Sequence, residues 1–344
     1  MTLIFKDLQY DDYERVLLSQ DESVGFECIT AIHNTKRGPA LGGCRYFSYQ
    51  NHEDQLTDVL KLSKAMTYKN SLANLDFGGG KATVNAKIPK VQFYELFAQV
   101  LKELDGTYIT AGDIGMVDED LVQLKTLSPY VCSTKGSDSG LSTAYGVFNA
   151  MIGYEEFQSQ QSTLENKKIL IKGYGKVGAR LAQFCKQSGA IVEIVDFESK
   201  KDLIEKDGFV FLKHYQDTNF DQIDIFSPCA TGGDLNQEFL DFTKNKKVNC
   251  VLGAANNQLA DNEIEQKLFN DGIIYCPDYC VNAGGVIILA LRSSFKEDME
   301  YDEPKAKKKL IGIKDQLKNI LLLSQNKNQL NTISSNELAE QGFQ

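Results

Sequence analysis

Two lysines flank a glycine triplet in residues 63–84, SKAMTYKNSLANLDFGGGKATV: Lys69 precedes it, and Lys81 directly follows Gly78-Gly79-Gly80. A lysine can hold an anion when charged or take a proton when neutral. A glycine triplet costs backbone entropy and contributes no packing, so it belongs where something comes close to the main chain. Lys81, with Gly80 and Ala82 beside it and apolar residues beyond, reads poorly as a solvated face. Lys69 falls late in a helical pattern, where a lysine ordinarily offsets the helix dipole. Surface charge and anion holder both stay open for it. A third candidate is Asp113, in Ala111-Gly112-Asp113-Ile114-Gly115. A carboxylate between glycines at a strand end is a usual place for chemistry in α/β sheets, and equally for a cap or turn. Gly38, Gly42 and Gly43 crowd GPALGGCRYF, which is either a plain loop or backbone approaching a ligand, with Arg45 nearby.

A second signature starts at residue 167. In KKILIKGYGKVGARLAQFCKQSGAIVEIVDFE, strand Ile169–Lys172 leads into Gly173-Tyr174-Gly175-Lys176-Val177-Gly178. A helix follows, then strand Ile191–Val195, which ends at Asp196. In this context the glycine spacing is a dinucleotide fingerprint. The first glycine makes the tight turn, the second admits the pyrophosphate to the backbone, and the third packs helix on strand. The helix N-terminus then faces the phosphates. Asp196 would accept hydrogen bonds from ribose hydroxyls and repel a 2′-phosphate. Phe197 and Glu198 follow it rather than arginine, so the expected cofactor is NAD rather than NADP.

The elements that must position these residues follow from periodicity. Residues 1–50 read as strands and turns, with a strand over Ser23–His33. Helices are expected over 53–74, Gln92–Leu104, Val117–Leu127 and Ala144–Phe157, with SDSGLST (137–143) as a polar loop before the last. Strands Ile223–Ser227, Cys250–Leu252 and Ile273–Tyr275 extend the second sheet. They end at Pro228-Cys229-Ala230, at Gly253-Ala254-Ala255-Asn256-Asn257 and at Pro277-Asp278. Open parallel sheets bind ligands at such C-terminal ends, which makes Cys229, Ala230, Asn256, Asn257 and then Asn282 candidates. A helix over Lys307–Leu323 precedes a tail, SSNELAEQ, that reads as a short helix with a serine N-cap.

The chain has 344 residues, too many for one ordinary core, so two domains are expected. It is 42% hydrophobic and 24% charged, with a net charge of −10. That charge argues against nucleic acid as a partner. No run of 18 apolar residues suggests a membrane span. The acidic start, MTLIFKDLQYDDYERV, resembles no targeting signal. Eight cysteines with no signal segment are read as reduced thiols, and the three histidines lie away from Cys276 and Cys280, so no metal site is expected. The localisation expected is cytoplasmic. GGGK is not a phosphate-binding P-loop, because Leu75 and Ala82 stand where that motif needs glycine and Ser/Thr.

Taken together, GPALGGCR (38–45), LSKAMTYKNSLANLDFGGGKA (62–82), YITAGDIG (108–115), GYGKVG (173–178), SPCATGGDLN (227–236), GAANNQL (253–259) and PDYCVNAGGVI (277–287) resemble the leucine/phenylalanine/valine branch of the amino-acid dehydrogenase family, in the same order. The resemblance covers most of the chain. It implies an α/β fold of two domains with a deep cleft between them. A substrate-binding and oligomerisation domain would occupy residues 1–143, with the tail at about 325–344 packed back on it. A Rossmann-type doubly wound NAD-binding domain would occupy 144–324. It also implies NAD-dependent, reversible oxidative deamination of an L-amino acid to a 2-oxo acid and ammonium, in a homo-oligomer. On matching positions, Lys69 looks like the holder of the substrate carboxylate and Lys81 like the general base that activates water. Asp113 looks like the partner of the substrate amine and a proton carrier. Gly42 and Gly43 would line the substrate. Asn256 or Asn257 and Asn282 would lie on the nicotinamide side, and Thr143, in the loop before the helix, would contact the cofactor. Two nearby lysines suit this chemistry: the charged one holds a carboxylate while its neutral neighbour takes a proton.

Relatives that act on glutamate carry lysine where this chain has Leu41. The resemblance therefore implies an apolar side-chain pocket of Leu41, Ala111, Val286 and Leu289, suited to branched aliphatic amino acids. The alternative is phenylalanine or another aromatic substrate, and a further one is a non-catalytic NAD-binding relative. The chain departs from the family at Gly112, where an acidic residue is usual, around Met116, and in lacking a proline in SDSGLST.

Overall fold

The apolar runs at the start of the chain form four strands: β1 (Ile4–Leu8), β2 (Arg15–Asp21), β3 (Phe26–Asn34) and β4 (Ala40–Phe47). They are followed by α1 (His52–Leu72), β5 (Gly78–Asn85), α2 (Lys90–Glu103), β6 (Tyr108–Gly112) and α3 (Asp118–Leu127). The computed structural model describes residues 3–132, 138–292 and 303–343. These fall into two compact units. One lies within Met1–Ser137, Val286–Glu303 and Ala339–Gln344, the other within Asp138–Gly285 and Pro304–Leu338.

The first unit is a six-stranded sheet in the order β1-β2-β3-β5-β4-β6. β1, β2, β3 and β5 pair antiparallel, whereas β4 runs parallel to both β5 and β6. The carboxyl ends of β4, β5 and β6 therefore share one edge. Successive residues alternate between two cores. Leu17 packs with Phe93, Phe97, Leu121 and Leu124 from α2 and α3, while Val16 and Leu18 pack with Leu56 and Val59 of α1. Burying one such phenylalanine is worth about 1.5–3 kcal/mol. Residues of the tail belong to this unit: Ser71 Oγ donates to Ala339 O (2.6 Å) and Arg37 Nη1 to Gly342 O (2.8 Å).

The second unit contains α4 (Ser139–Ser159), β7 (Lys168–Lys172), α5 (Gly178–Gln187), β8 (Ile191–Val195), α6 (Lys201–Lys206), β9 (Val210–Leu212), β10 (Gln222–Pro228), α7 (Gln237–Asn245), β11 (Lys247–Val251), α8 (Glu263–Asn270), β12 (Ile274–Tyr275) and α9 (Asp278–Val281). The chain continues through α10 (Gly284–Arg292), α11 (Glu303–Lys327) and α12 (Asn331–Gln341). All six strands are parallel, in the order β12-β11-β10-β7-β8-β9. Counted within the unit this is 3-2-1-4-5-6 read from the β9 edge, the doubly wound dinucleotide-binding order, with its switch point between β7 and β10. Lys314 and Lys318, one turn apart on α11, both reach Glu156 of α4 (2.8 and 2.7 Å). Their hydrogen bonds hold the Glu156 carboxyl down at about 2.

Several expectations change. GPALGGCRYF is not a loop, because residues 40–47 form β4, central to the parallel part of its sheet. The polar stretch 138–143 is helical from Ser139: Asp138 is the N-cap and accepts from Leu141 N (2.9 Å). Ser137 of that stretch lies outside the described residues. The division between units accordingly falls at Asp138 rather than after Thr143. Residues up to Leu338 belong to the second unit, since α11 runs unbroken to Lys327. The tail helix starts at Asn331, so Ser335 is inside it and bonds back to Asn331 O (2.7 Å) instead of capping it.

Candidate active site

In the first unit the site is built on the shared edge of β4, β5 and β6. The glycine triplet lies within β5, fully buried. What comes close to it is α1. A Cβ on Gly79 would lie 2.0 Å from Thr67 N of α1, while one on Gly78 would lie 1.9 Å from Asn34 O at the end of β3. The helix therefore sits directly on the strand. Asn70 fastens it there, its Nδ2 donating to Gly78 O (2.6 Å) and Leu41 O (3.2 Å). Residues 67–70 of α1, which include half-buried Lys69, are thus pinned to the strand that carries Lys81. Gly42 and Gly43 answer the same demand across the sheet. Added Cβ atoms would meet Gly80 O at 1.7 Å and Gly112 O at 2.6 Å.

Lys81 is only 5% exposed. Its Nζ lies 3.2 Å from Asp113 Oδ2. The expectation of two nearby lysines does not include this contact of Lys81 with the Asp113 carboxylate. Asp113 follows β6 and its carbonyl accepts from Met116 N (3.0 Å), so it does form a turn. Its side chain does not cap α3. It takes a second bond on Oδ2, from Arg45 Nε (2.8 Å). Burial pushes the Asp113 carboxyl up, but Lys81 and Arg45 together outweigh it and hold the group below the usual carboxylate range. Arg45 in turn donates Nη1 to both oxygens of Asp58 (3.1 and 2.8 Å), and Tyr49 OH donates to Asp58 Oδ2 (2.6 Å). Arg45, Asp58 and Tyr49 were not assigned a part from sequence. The signal was available for Arg45: once 40–47 is a strand, Arg45 shares a face with Gly43 by the two-residue repeat. Leu41 and Ala111 lie buried on the adjacent strands β4 and β6, Val286 is buried on α10, and Leu289 on the same helix is half-buried.

In the second unit the glycine loop crosses from β7 to α5 at the switch point. Gly173 has φ +109°, which an L side chain rarely adopts, and a Cβ there would meet Ala230 N at 2.7 Å. A Cβ on Gly178 would lie 1.9 Å from Gly173 O and 3.3 Å from the Cβ of Cys229. Two neighbouring strand ends are thereby locked together. Gly175 is different: a Cβ there would meet nothing within 4 Å. Gly175 and Lys176 are exposed, with Val177 completing the approach to the helix. Open space at the second glycine and tight packing at the third fit a dinucleotide's phosphates at the start of α5. Asp196, just past β8, accepts from Tyr174 N and from Phe197 N (2.6 Å), so it also shapes the loop. Asn282 Nδ2 donates to Asn256 Oδ1 (2.8 Å) and Ala254 O (3.1 Å). Asn257 N donates to Asp278 Oδ2 (3.1 Å). Thr143 stands in the first turns of α4, not in a loop, and a Cβ on Gly285 would meet its Oγ1 at 3.3 Å.

A model of the Glu/Leu/Phe/Val dehydrogenase dimerisation domain matches residues 14–126, and a Glutamate/Leucine/Phenylalanine/Valine dehydrogenase model matches residues 193–341. The chain belongs to this dehydrogenase family. It is an amino-acid dehydrogenase, an oxidoreductase. It is 34% identical to leucine dehydrogenase of Bacillus subtilis over 98% of this chain and 93% of that one. It is 36% identical to phenylalanine dehydrogenase of Caldalkalibacillus thermarum over 81% and 78%. Among solved structures it is similar to L-tryptophan dehydrogenase from Nostoc punctiforme, with TM-score 0.84 and 29% identity over 96% of each chain. Aliphatic and aromatic amino-acid dehydrogenases thus stand at similar distance, and the family alone does not choose the side chain. Dehydrogenases with this Rossmann-type domain generally use NAD or NADP. Among the described residues no helix is long and apolar enough to cross a membrane.

Proposed function

We propose that this enzyme catalyses the reversible, NAD-linked oxidative deamination of branched aliphatic L-amino acids (leucine, valine, isoleucine) to 2-oxo acids and ammonium. The observation that carries the reading is the buried Lys81–Asp113 pair, Lys81 standing within β5 and Asp113 at the carboxyl end of β6. Lys69 holds the substrate carboxylate. Asp113 accepts from the substrate amine. Bound NAD supplies the hydride acceptor for the α-carbon. The chain's own residues manage the protons. Lys81 first passes its ammonium proton to Asp113, 3.2 Å away; the neutral Nζ then takes a proton from water as the oxygen adds to the imine carbon, and Asp113 delivers its proton to the departing ammonia. Dryness favours every charge interaction in this sequence, and Lys81 at 5% exposure meets that need.

NAD over NADP is supported by Asp196, whose carboxylate at the end of β8 would repel a 2′-phosphate. Leu41, Ala111, Val286 and Leu289 supply no charge or hydroxyl, which supports an aliphatic substrate. The tryptophan and phenylalanine dehydrogenase relatives favour a second reading, an aromatic substrate. Pocket size separates these by only about 1–3 kcal/mol per methylene. The family model's description as a dimerisation domain supports a homo-oligomer formed through the first unit. Eight free thiols suit a reducing, cytoplasmic setting. One experiment tests the whole reading: absorbance at 340 nm with a panel of L-amino acids and either NAD⁺ or NADP⁺, for the native enzyme and Lys81→Ala. Turnover of leucine, valine and isoleucine with NAD⁺, lost in Lys81→Ala with NADH binding kept, is expected. Preference for phenylalanine would select the second reading, and full activity of Lys81→Ala would overturn the role of Lys81.

A further inference from the structure

Asp113 has two oxygens, and they are not equivalent. Both cations act on Oδ2: Arg45 Nε at 2.8 Å and Lys81 Nζ at 3.2 Å. Among the described residues no hydrogen bond reaches Oδ1. Arg45 stands on β4, the strand between β5, which carries Lys81, and β6, which leads into Asp113. Its guanidinium is held on a second side by Asp58, through both carboxylate oxygens, and Asp58 is itself fixed by the Tyr49 hydroxyl. The side chains of Arg45 and Asp58 are 15% and 28% exposed. Two cations and two carboxylates thus form a charge-balanced, largely buried set. A planar fork can serve two carboxylates in fixed directions, which an ammonium group cannot.

We propose that Arg45 is a positioning residue for Asp113: clamped from behind by Asp58 and Tyr49, it fixes Oδ2 so that Oδ1 is the oxygen presented to the substrate amine. This rests on the reading of Asp113 as the amine partner. The arrangement also keeps Asp113 ionised. The groups in contact with it are Lys81 from β5 and Arg45 from β4, and through Arg45 come Asp58 of α1 and Tyr49; the Cys44 thiol and the Tyr108 phenol lie in the core close enough to feel its charge. Burial pushes the thiol and both phenols up, so they stay neutral and leave the two cations in control.

The test compares the native enzyme with Arg45→Gln, Arg45→Lys and Asp58→Asn, using the amino acid that the substrate panel selects. Misplacing a reacting group by about 1 Å can cost about 100-fold. Arg45→Gln should lose about 10–100-fold in kcat, with the acidic limb of the kcat/KM profile displaced to higher pH and NADH affinity within about twofold of native. Arg45→Lys should not restore kcat, because it keeps the charge but loses the fork. Asp58→Asn, which leaves Arg45 in place but unclamped, should lower kcat by less, and because it removes a like charge it should not displace the acidic limb to higher pH. It also keeps the test alive if Arg45→Gln does not fold. An unmoved acidic limb in Arg45→Gln, an unchanged kcat in Asp58→Asn, or full rescue by lysine would overturn the clamp. Thermal unfolding against pH separates this from the functional reading. If no amino acid is turned over, the reading of function fails, yet the acid-side loss of stability below about pH 4 should still be smaller in Arg45→Gln than in the native chain, because its Asp113 is less depressed. An equal loss in both would sink the clamp as well.

Discussion

Lys81 Nζ lies 3.2 Å from Asp113 Oδ2; Lys81 stands on β5 and Asp113 just past β6, 32 positions further along the chain. The contact pairs an ammonium group that is almost wholly out of water with a carboxylate whose side chain is 20% exposed. Removing one partner of such a pair leaves the other charge uncompensated.

Asp113→Asn should therefore lower stability at neutral pH by about 3 kcal/mol in chemical denaturation, and lower turnover by at least about 100-fold. The pH dependence has a definite sign. The folded-state pKa of Asp113 is depressed, so its contribution is fully present above the ordinary aspartate value and is lost as pH falls below about 4. The asparagine variant should lack that part of the acid sensitivity. Denaturation curves at pH 7 and pH 3.5 that differ equally in both proteins would contradict this.

The two glycine clusters should respond differently to a methyl group. Gly79→Ala drives a Cβ to 2.0 Å from Thr67 N and 2.4 Å from Thr67 Cα. Backbone cannot swing away as a side chain can, so α1 must lift from β5, at a cost of about 3 kcal/mol. Gly175→Ala meets open space and should leave stability within about 0.5 kcal/mol. It should instead weaken NADH about tenfold, because the methyl occupies the approach to the phosphates. Melting temperature and NADH fluorescence titration on both variants check the contrast.

His33 gives a second pH effect, away from the site. It is 9% exposed, its Nδ1 lies 2.8 Å from Thr67 Oγ1, and Tyr13, Tyr68 and Phe343 surround its ring. Burial, with help from Lys64, lowers its pKa to about 4. The unfolded chain protonates this histidine near 6.5. Between about 6.5 and 4 the unfolded state binds more protons, so stability rises with pH across that window and is lost on acidification. His33→Gln keeps a partner for Thr67 without that proton. Its drop in melting temperature from pH 7 to pH 5 should be smaller than the native drop by about 2 °C or more. Equal drops would show that His33 does not titrate with folding.

Local periodicity was enough for the helices around residues 53–74, 92–104 and 117–127. It was also enough for the strand–glycine–helix–strand unit at 168–195, because those signals lie within one or two turns of chain. It was not enough for β4, whose glycines read as a loop. A strand with two glycines looks broken until the neighbouring strands that need those gaps are in place. Nor was it enough for β9, three residues long, or for the start of α4, where serines and a glycine hide a helix.

For the site, the sequence by itself determined the candidates: Lys69, Lys81, Asp113, the glycine fingerprint and Asp196, each marked by an unusual neighbourhood of glycines or by spacing. Only the tertiary structure decided what they touch. It made the glycine triplet a seat for α1, set Gly173 against Ala230 at the switch point, and brought Arg45 onto Asp113 from 68 positions away. The physical reason is the sheet itself. Parallel strands are never joined by a tight turn, so residues that meet along their carboxyl edge come from distant parts of the chain, and local periodicity carries no record of which strand lies beside which.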